Sequence, residues 1–542
     1  MRRITPLFMM AAILSLPAAA ASIALTGVNL IDVEGLTVKS NQTVLLQDDR
    51  IAAIQPASKA IPKHYTKVDL TGKYVLPGLI DAHVHHATEP EGYNNAVITH
   101  QRLQKLLRGG VTSVRDMAGD VRVLAGLKRS AELDLIQAPD IYYSVILGGN
   151  SFFSDPRTAA AAKGQTPGDT DWMRAVDGNT DVEALMQRTL GSGASGIKIY
   201  ADVPAATVKK LAAAAKRVGL KVWSHAYIGP DKPSAVVDAG VEVISHVPDL
   251  SAEVISDYKA WRRKNAEIDD AVKTASFDAA RYTELLKSIK QHNTILDVTL
   301  TVFEQHRNQG PNREVMFQHG VFLTKLARQY GITLAAGTDA FDDTAALPML
   351  HHELQLLTEL GGLTPAQALQ AATLNSAKAI GIENDVGTVS AGKKANLLVL
   401  NTNPLEDIRR SSDIAHVIKN GRFVYRGDDQ RLPFSAARKA GGMLWLSGQI
   451  GNFPGTMTLA GNDISSQMTQ AMDNMMAVLQ EHQLSAQDVA KCTLMLADIK
   501  DWAKASEIYK GYFTASLPAR SAFAASGLAL NAKVEIECIA SL

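Results

Sequence analysis

The sequence predicts an α/β protein: a (β/α)8 barrel, a small composite β-sandwich bracketing it, and a separate C-terminal α+β domain. Three observations predict this. Between about residues 76 and 381, eight short apolar runs alternate with helical stretches. On either side lie short β-type runs too small to form a stable sheet alone. From about residue 430 the pattern changes to a compact mixture of strands and helices. At 542 residues the chain is too long for one hydrophobic core, so two or three domains are expected.

The N-terminus comes first. Arg2 and Arg3 precede an apolar stretch from Pro6 to Ala20, and Ala19, Ala20 and Ala21 supply the small residues that signal peptidases require. This predicts a signal peptide over 1–21, removed near Ala21–Ser22, and a periplasmic or secreted protein. The apolar core is short for a membrane span, and Pro17 interrupts a helix there. No other segment is long and apolar enough, so no stable span is expected after cleavage.

Residues 22–75 contain the runs VLLQDD, IAAIQP and TKVDL, with turn residues between them. Residues 382–429 contain VGTVSAGKKANLLVL and VIKNGRFVYRG. Pairing of the two segments gives the composite sandwich. Within 76–381, candidate strands end near His85, Asp116, Leu147, Tyr200, His225, His246, Leu300 and Thr338. Helical stretches such as PAATVKKLAAAAKRVG and GVFLTKLARQYG lie between them. Residues 163–181 are rich in Gly, Asp and Thr and read as a long loop after the third strand, either a lid or a surface excursion.

Polar residues at the strand ends carry the chemistry. His83 and His85 are two apart on one strand, so their imidazoles share a face and can hold one ion. Lys198 is flanked by Ile197 and Ile199. A buried ammonium there is costly unless it is paired or chemically changed, and carboxylation by CO2 would turn it into a bridging carbamate. An internal salt bridge is the plainer alternative. His225 and His246 end adjacent strands and would hold a second ion. Asp339 ends the last strand, where it can ligate the first ion and act as general base. Zinc and similar ions take such ligands, and a catalytic site leaves a position for water.

With LPGLIDAHVH, GIKIY, SHAY, ISHV, GTD and the tail from Leu363 to Ile408, the chain resembles the metal-dependent amidohydrolase superfamily over about residues 22–430. Within it, the likeness is to imidazolonepropionase-like and prolidase-like hydrolases. The resemblance implies two divalent ions, with zinc favoured, a carboxylated Lys198, a bridging hydroxide and hydrolysis of a C–N bond. Two positions depart. Asn396 stands where the family usually has Asp, in the sandwich. Asn150 stands where the branch often has a histidine reaching toward substrate. Tyr227 lies two residues past His225 and is a candidate hydrogen-bond donor to substrate.

Over 430–542, LSGQIG, LPARS and VEIECIA resemble the reactive-intermediate deaminase (Rid, YjgF-type) family. The resemblance implies that Arg520 clamps a substrate carboxylate, that Glu535 positions a water for enamine or imine hydrolysis, and that the domain forms trimers with the site between subunits. Phe434, Ala436 and Ser506 replace a family tyrosine, glutamine and asparagine. Residual deaminase activity or a non-catalytic ligand-binding or assembly role are both compatible with this.

The bulk numbers fit a globular enzyme: 46% hydrophobic and 20% charged residues, with 55 acidic against 55 basic side chains. No basic stripe stands out, so nucleic acid is not expected as a partner. Cys492 and Cys538 are too few for a disulfide framework and read as small buried thiols. The resulting expectation is an exported hydrolase of an amide bond in a peptide, an N-acyl amino acid or a cyclic amide, working as a homo-oligomer. A deaminase seated in the C-terminal domain is the alternative.

Overall fold

The computed structural model describes residues 22–86, 95–117, 119–264, 267–426, 434–453, 459–482, 484–513 and 516–542. The expected signal segment and the junction near 428–432 lie outside them. The chain divides into two compact units at Arg426/Gly427.

The first unit is built on eight parallel strands paired in chain order. They are β1 (Leu79–Val84), β2 (Val111–Asp116), β3 (Asp140–Gly148), β4 (Gly196–Ala201), β5 (Lys221–His225), β6 (Val243–Ser245), β7 (Ile295–Asp297) and β8 (Leu334–Ala335). Segments such as Leu79–Val84 and Val111–Asp116 are buried throughout, as strands covered on both faces must be. Two backbone bonds bring β1 against the segment after β8. Ala82 N donates to Ala336 O at 3.0 Å, and Asp339 N donates to His83 O at 2.8 Å. The sheet is thus a nearly closed (β/α)8 barrel. The helix Ala205–Arg217 is typical of its wall: Val208, Leu211, Ala212 and Ala215 fall at helical spacing and are buried.

Two strand ends differ from the expected ones. β7 stops at Asp297, not near Leu300, because Thr299 has φ 57° and Leu300 already begins a helix. β8 stops at Ala335, not near Thr338, because Ala336 and Asp339 bond instead to β1. The stretch 163–181 also differs from a free loop. Met173–Ala175 pairs with β3, and Trp172, Met173 and Val176 are buried.

The flanking segments meet in one eight-stranded sheet. Tyr74–Pro77 pairs antiparallel with Leu397–Leu400, and the order runs from Arg422–Arg426 through to Arg50–Pro56. The register of Ser22–Asp32 breaks around Val28, so its first half pairs with Thr66–Asp69 and its second with Tyr74–Pro77. Asn396 is buried here, its Oδ1 accepting from Asn420 N at 2.8 Å.

The second unit has a six-stranded sheet in which Val489–Leu496 lies between Ala519–Ala524 and Val534–Ser541. Met468, Met472, Met475 and Leu479 of the helix Ile464–Glu481 pack with Leu494 and Ile536. The two cysteines are not free thiols. Register places Cys492 opposite Cys538, with Cα atoms 4.1 Å apart, and they form a disulfide.

Candidate metal centre

The barrel gathers the six candidate ligands at the C-terminal ends of its strands, where chemistry sits in such folds. His83 lies on β1, with His85 just beyond it. Lys198 is on β4, His225 ends β5, His246 follows β6, and Asp339 follows β8. His85 Nε2 lies 3.1 Å from Asp339 Oδ1, and His83 Nε2 lies 3.7 Å from the same oxygen. His246 Nε2 is 3.8 Å from Asp339 Oδ2. The His246 ring is 4.8 Å from His83 and 4.6 Å from His225, centroid to centroid. Candidate ligand atoms of His83, His85 and Asp339 all fall within 4.8 Å of one another, close enough for one ion.

Lys198 is buried, and its Nζ lies 3.3 Å from His83 Nε2. No carboxylate among the described residues forms a salt bridge with it. Burial, against the pull of Asp339 and helped by Arg115, brings its pKa down to about 8. An amine in that range is neutral often enough to react with CO2. Burial also keeps the imidazoles of His83, His225 and His246 neutral, as metal ligands must be. It lowers His83 to about 4, with Lys198 adding to the effect, and His246 to about 3, with His83 adding. His225 is held well below its ordinary value for the same reasons. Burial would raise Asp339, but His83 and His85 outweigh it and keep the carboxylate ionised. Neutral imidazoles, a carboxylate and a deprotonatable amine facing one another fit a pair of divalent cations.

Local backbone strain shapes the site. His246 (φ 70°) and Asp339 (φ 48°) occupy the left-handed region, which costs a non-glycine residue about 1 kcal/mol or more. Each is held there by a neighbour: His246 N donates to Asp297 O at 3.0 Å, and Asp339 N to His83 O. Gly337 is required beside them. A Cβ there would lie 2.6 Å from His83 Cβ and 2.3 Å from Asp297 Oδ1.

Several site residues were not among those expected from sequence. Asp297, at the end of β7, accepts from His83 Nδ1 at 2.8 Å, from Arg115 at 2.9 Å and from Ser245 at 2.7 Å. Burial opposes its charge, yet His83 and Arg115 bring its pKa down to about 2. Thr299 Oγ1 meets His246 Nδ1 at 3.0 Å. Asp81 ties β1 to Thr338, accepting from its N at 3.0 Å and its hydroxyl at 2.8 Å. The aromatic ring that meets His225 is Tyr200, at 4.2 Å. Tyr227 instead packs edge-on against Tyr258 at 5.2 Å, in a cluster with Ile255, Trp261 and Phe303. It lies past the end of β5, where strand alternation no longer sets its direction. Asn150 is exposed at the start of a short 3-10 turn. An acidic residue ending the ILD run was the available signal for Asp297.

In the second unit, Arg520 donates to Ser506 Oγ at 2.9 Å and lies over the rings of Tyr509 and Trp502. Glu535 sits against Gly448, its pKa raised by burial and then by Glu537. Arg520 pairs laterally with Cys492 and Glu535 with Met495, on opposite sides of one strand. Cys492 faces the helices and Met495, three residues on, faces away. One chain therefore does not bring Arg520 and Glu535 together.

Comparison with known proteins agrees with this division. Residues 74–424 match the model of the amidohydrolase family, and residues 429–542 match the family described as Endoribonuclease L-PSP. Ochratoxinase of Aspergillus niger is 24% identical over 446 residues, covering 72% of this chain and 85% of its own. A solved prolidase complexed with N-methylphosphonate-L-proline superposes with a TM-score of 0.60 at 23% identity, over 75% of this chain and 100% of its own. At the C terminus, Reactive Intermediate Deaminase A of Arabidopsis thaliana is 42% identical over 110 residues, which is 20% of this chain and 59% of that protein. The 2-iminobutanoate/2-iminopropanoate deaminase of Mus musculus is 36% identical over 108 residues, 20% of this chain and 80% of its own. The chain belongs to the amidohydrolase family, hydrolases of carbon–nitrogen bonds, and carries a C-terminal domain of the reactive-intermediate deaminase type.

Proposed function

We propose that this protein is an exported hydrolase that uses two divalent ions, zinc by preference, to cleave an amide bond in a small peptide, an N-acyl amino acid or a cyclic amide. The observation that carries this reading is the buried Lys198 amine beside His83 Nε2, among imidazoles and a carboxylate but in no salt bridge among the described residues. As a carbamate it would bridge an ion held by His83, His85 and Asp339 and another held by His225 and His246. The ions, when bound, supply a nucleophilic water at neutral pH and charge for the developing oxyanion. Asp339 would take a proton from the attacking water and hand it to the leaving nitrogen. Tyr227 donates to the substrate from the aromatic wall it shares with Tyr258.

The prolidase-named neighbour and one named a Xaa-Pro dipeptidase favour peptides. Export is supported by the N-terminal pattern and by the Cys492–Cys538 bridge, which suits an oxidising compartment. The test is a panel of dipeptides, N-acyl amino acids and cyclic amides, offered to full-length protein supplied with zinc or manganese and bicarbonate. Turnover of one class, lost in His83→Ala, is expected. Failure on every class by metal-loaded protein would end the proposal.

A second reading makes the C-terminal domain a deaminase of enamines or imines, favoured by relatives named for that reaction and by Arg520. Since Arg520 and Glu535 do not meet in one chain, this reading needs a homo-oligomer, trimer-based as the resemblance implies. Ammonia release from an enamine, lost in Arg520→Ala with amide hydrolysis intact, is its signature.

A further inference from the structure

We propose that the turn closing β7, residues 297–301, provides no ligand of its own but orients one imidazole at each ion, and supports the two ions unequally. The inference rests on the two-ion reading above. Asp297 and Thr299, two residues apart, each meet the Nδ1 of a different ligand: His83 at 2.8 Å and His246 at 3.0 Å. A carboxylate can only accept, so His83 Nδ1 carries the proton and Nε2 keeps its lone pair. That Nε2 faces Lys198 Nζ and Asp339. With Nδ1 held by Thr299, His246 presents Nε2 toward the same Asp339. Holding the distal nitrogen fixes the ring plane of both imidazoles, and at His83, whose partner can only accept, the tautomer as well; partners of this kind raise metal affinity.

The two supports differ in charge. Asp297 is an anion, fixed by Arg115 and Ser245. It makes His83 the more basic ligand. Thr299 is a neutral hydroxyl, and its left-handed turn is held from behind by buried Glu353. The Glu353 carboxyl accepts from Leu300 N at 3.0 Å, and from Thr301 N and Thr301 Oγ1 at 2.7 Å each. The ion on the His83 side therefore binds more tightly than the ion on the His225 and His246 side.

The test counts zinc per chain while full-length protein, loaded with Zn2+, is dialysed against rising EDTA. Wild type should release zinc in two steps. Asp297→Asn should weaken the tighter step by about 10- to 100-fold and draw the two together, with Asp297→Ala weaker still. Thr299→Val should weaken only the looser step, by about 10-fold. Should the Asp297 variants fail to fold, Thr299→Val decides alone. His83→Ala separates the two ideas. Zinc lost in His83→Ala but released normally by the folded Asp297 and Thr299 variants overturns the inference and leaves the two-ion reading standing. Zinc held normally by His83→Ala overturns both.

Discussion

The barrel site and the C-terminal site are built in opposite ways. In the barrel, six candidate ligands from five strands face one another inside a single chain, and buried partners such as Asp297 and Asp81 hold them. In the C-terminal unit, Arg520 and Glu535 stand on opposite faces of a sheet, two strand spacings or roughly 10 Å apart across it. Phe434, Trp445 and Phe523 of the same unit are about half exposed. The first site is complete in one copy. The second is a set of parts.

That difference can be broken by mutation. Lys198→Ala should lower amide hydrolysis by about 1000-fold or more, because it removes the group that the proposed function sets between the two ions. Arg520→Ala should leave the same rate within about twofold. Comparable losses from both variants would mean that the sites are not independent.

Acid should separate the units next. His83, His246 and His319 are all buried in the barrel unit, and burial lowers them to about 4, 3 and 3. An unfolded chain takes up these protons near pH 6.5, whereas the folded barrel does so only near 3–4. The unfolded state therefore binds more protons in that window, and stability is lost as pH falls through it. Each group contributes about 1.4 kcal/mol per pH unit. Melting of chelator-treated protein from pH 7.5 to 5 measures this, and a barrel transition independent of pH would contradict it.

Removing the Cys492–Cys538 bridge should affect only the second unit. The bridge closes a separation of 46 residues, for which the chain-entropy estimate is about 4 kcal/mol. The Cys492→Ala/Cys538→Ala variant should show one destabilised melting transition and unchanged amide hydrolysis. A smaller effect is expected from Gly337→Ala. Its Cβ would press on His83 and Asp297, costing about 1–3 kcal/mol in the barrel transition. Gly178→Ala, with open space around it, should stay within about 0.5 kcal/mol. Equal melting of the two glycine variants would show that the packing under His83 is looser than the structure indicates.

Much of the barrel was legible in the sequence, because its strands are short apolar runs and on or just past five of them stand residues with metal-ligand chemistry. Asp297 was not. Val298 and Leu300 follow it and extend the apolar pattern, while the left-handed turn at Thr299 that ends the strand leaves no compositional trace. Arg115, an arginine inside a barrel strand, makes sense only once Asp297 is opposite it. The disulfide was hidden for a similar reason: it depends on the register of two strands, which spacing along the chain does not encode. The strand at Met173–Ala175 is three residues long within a Gly- and Asp-rich stretch, too short for a periodic signal.

The most direct measurement is divalent metal per chain in the purified full-length protein, compared with its Lys198→Ala variant. About two ions per chain in the wild type, falling in the variant together with amide hydrolysis, is the expected result. A folded wild-type protein that holds no divalent ion, even after incubation with zinc or manganese and bicarbonate, would contradict the account at its root.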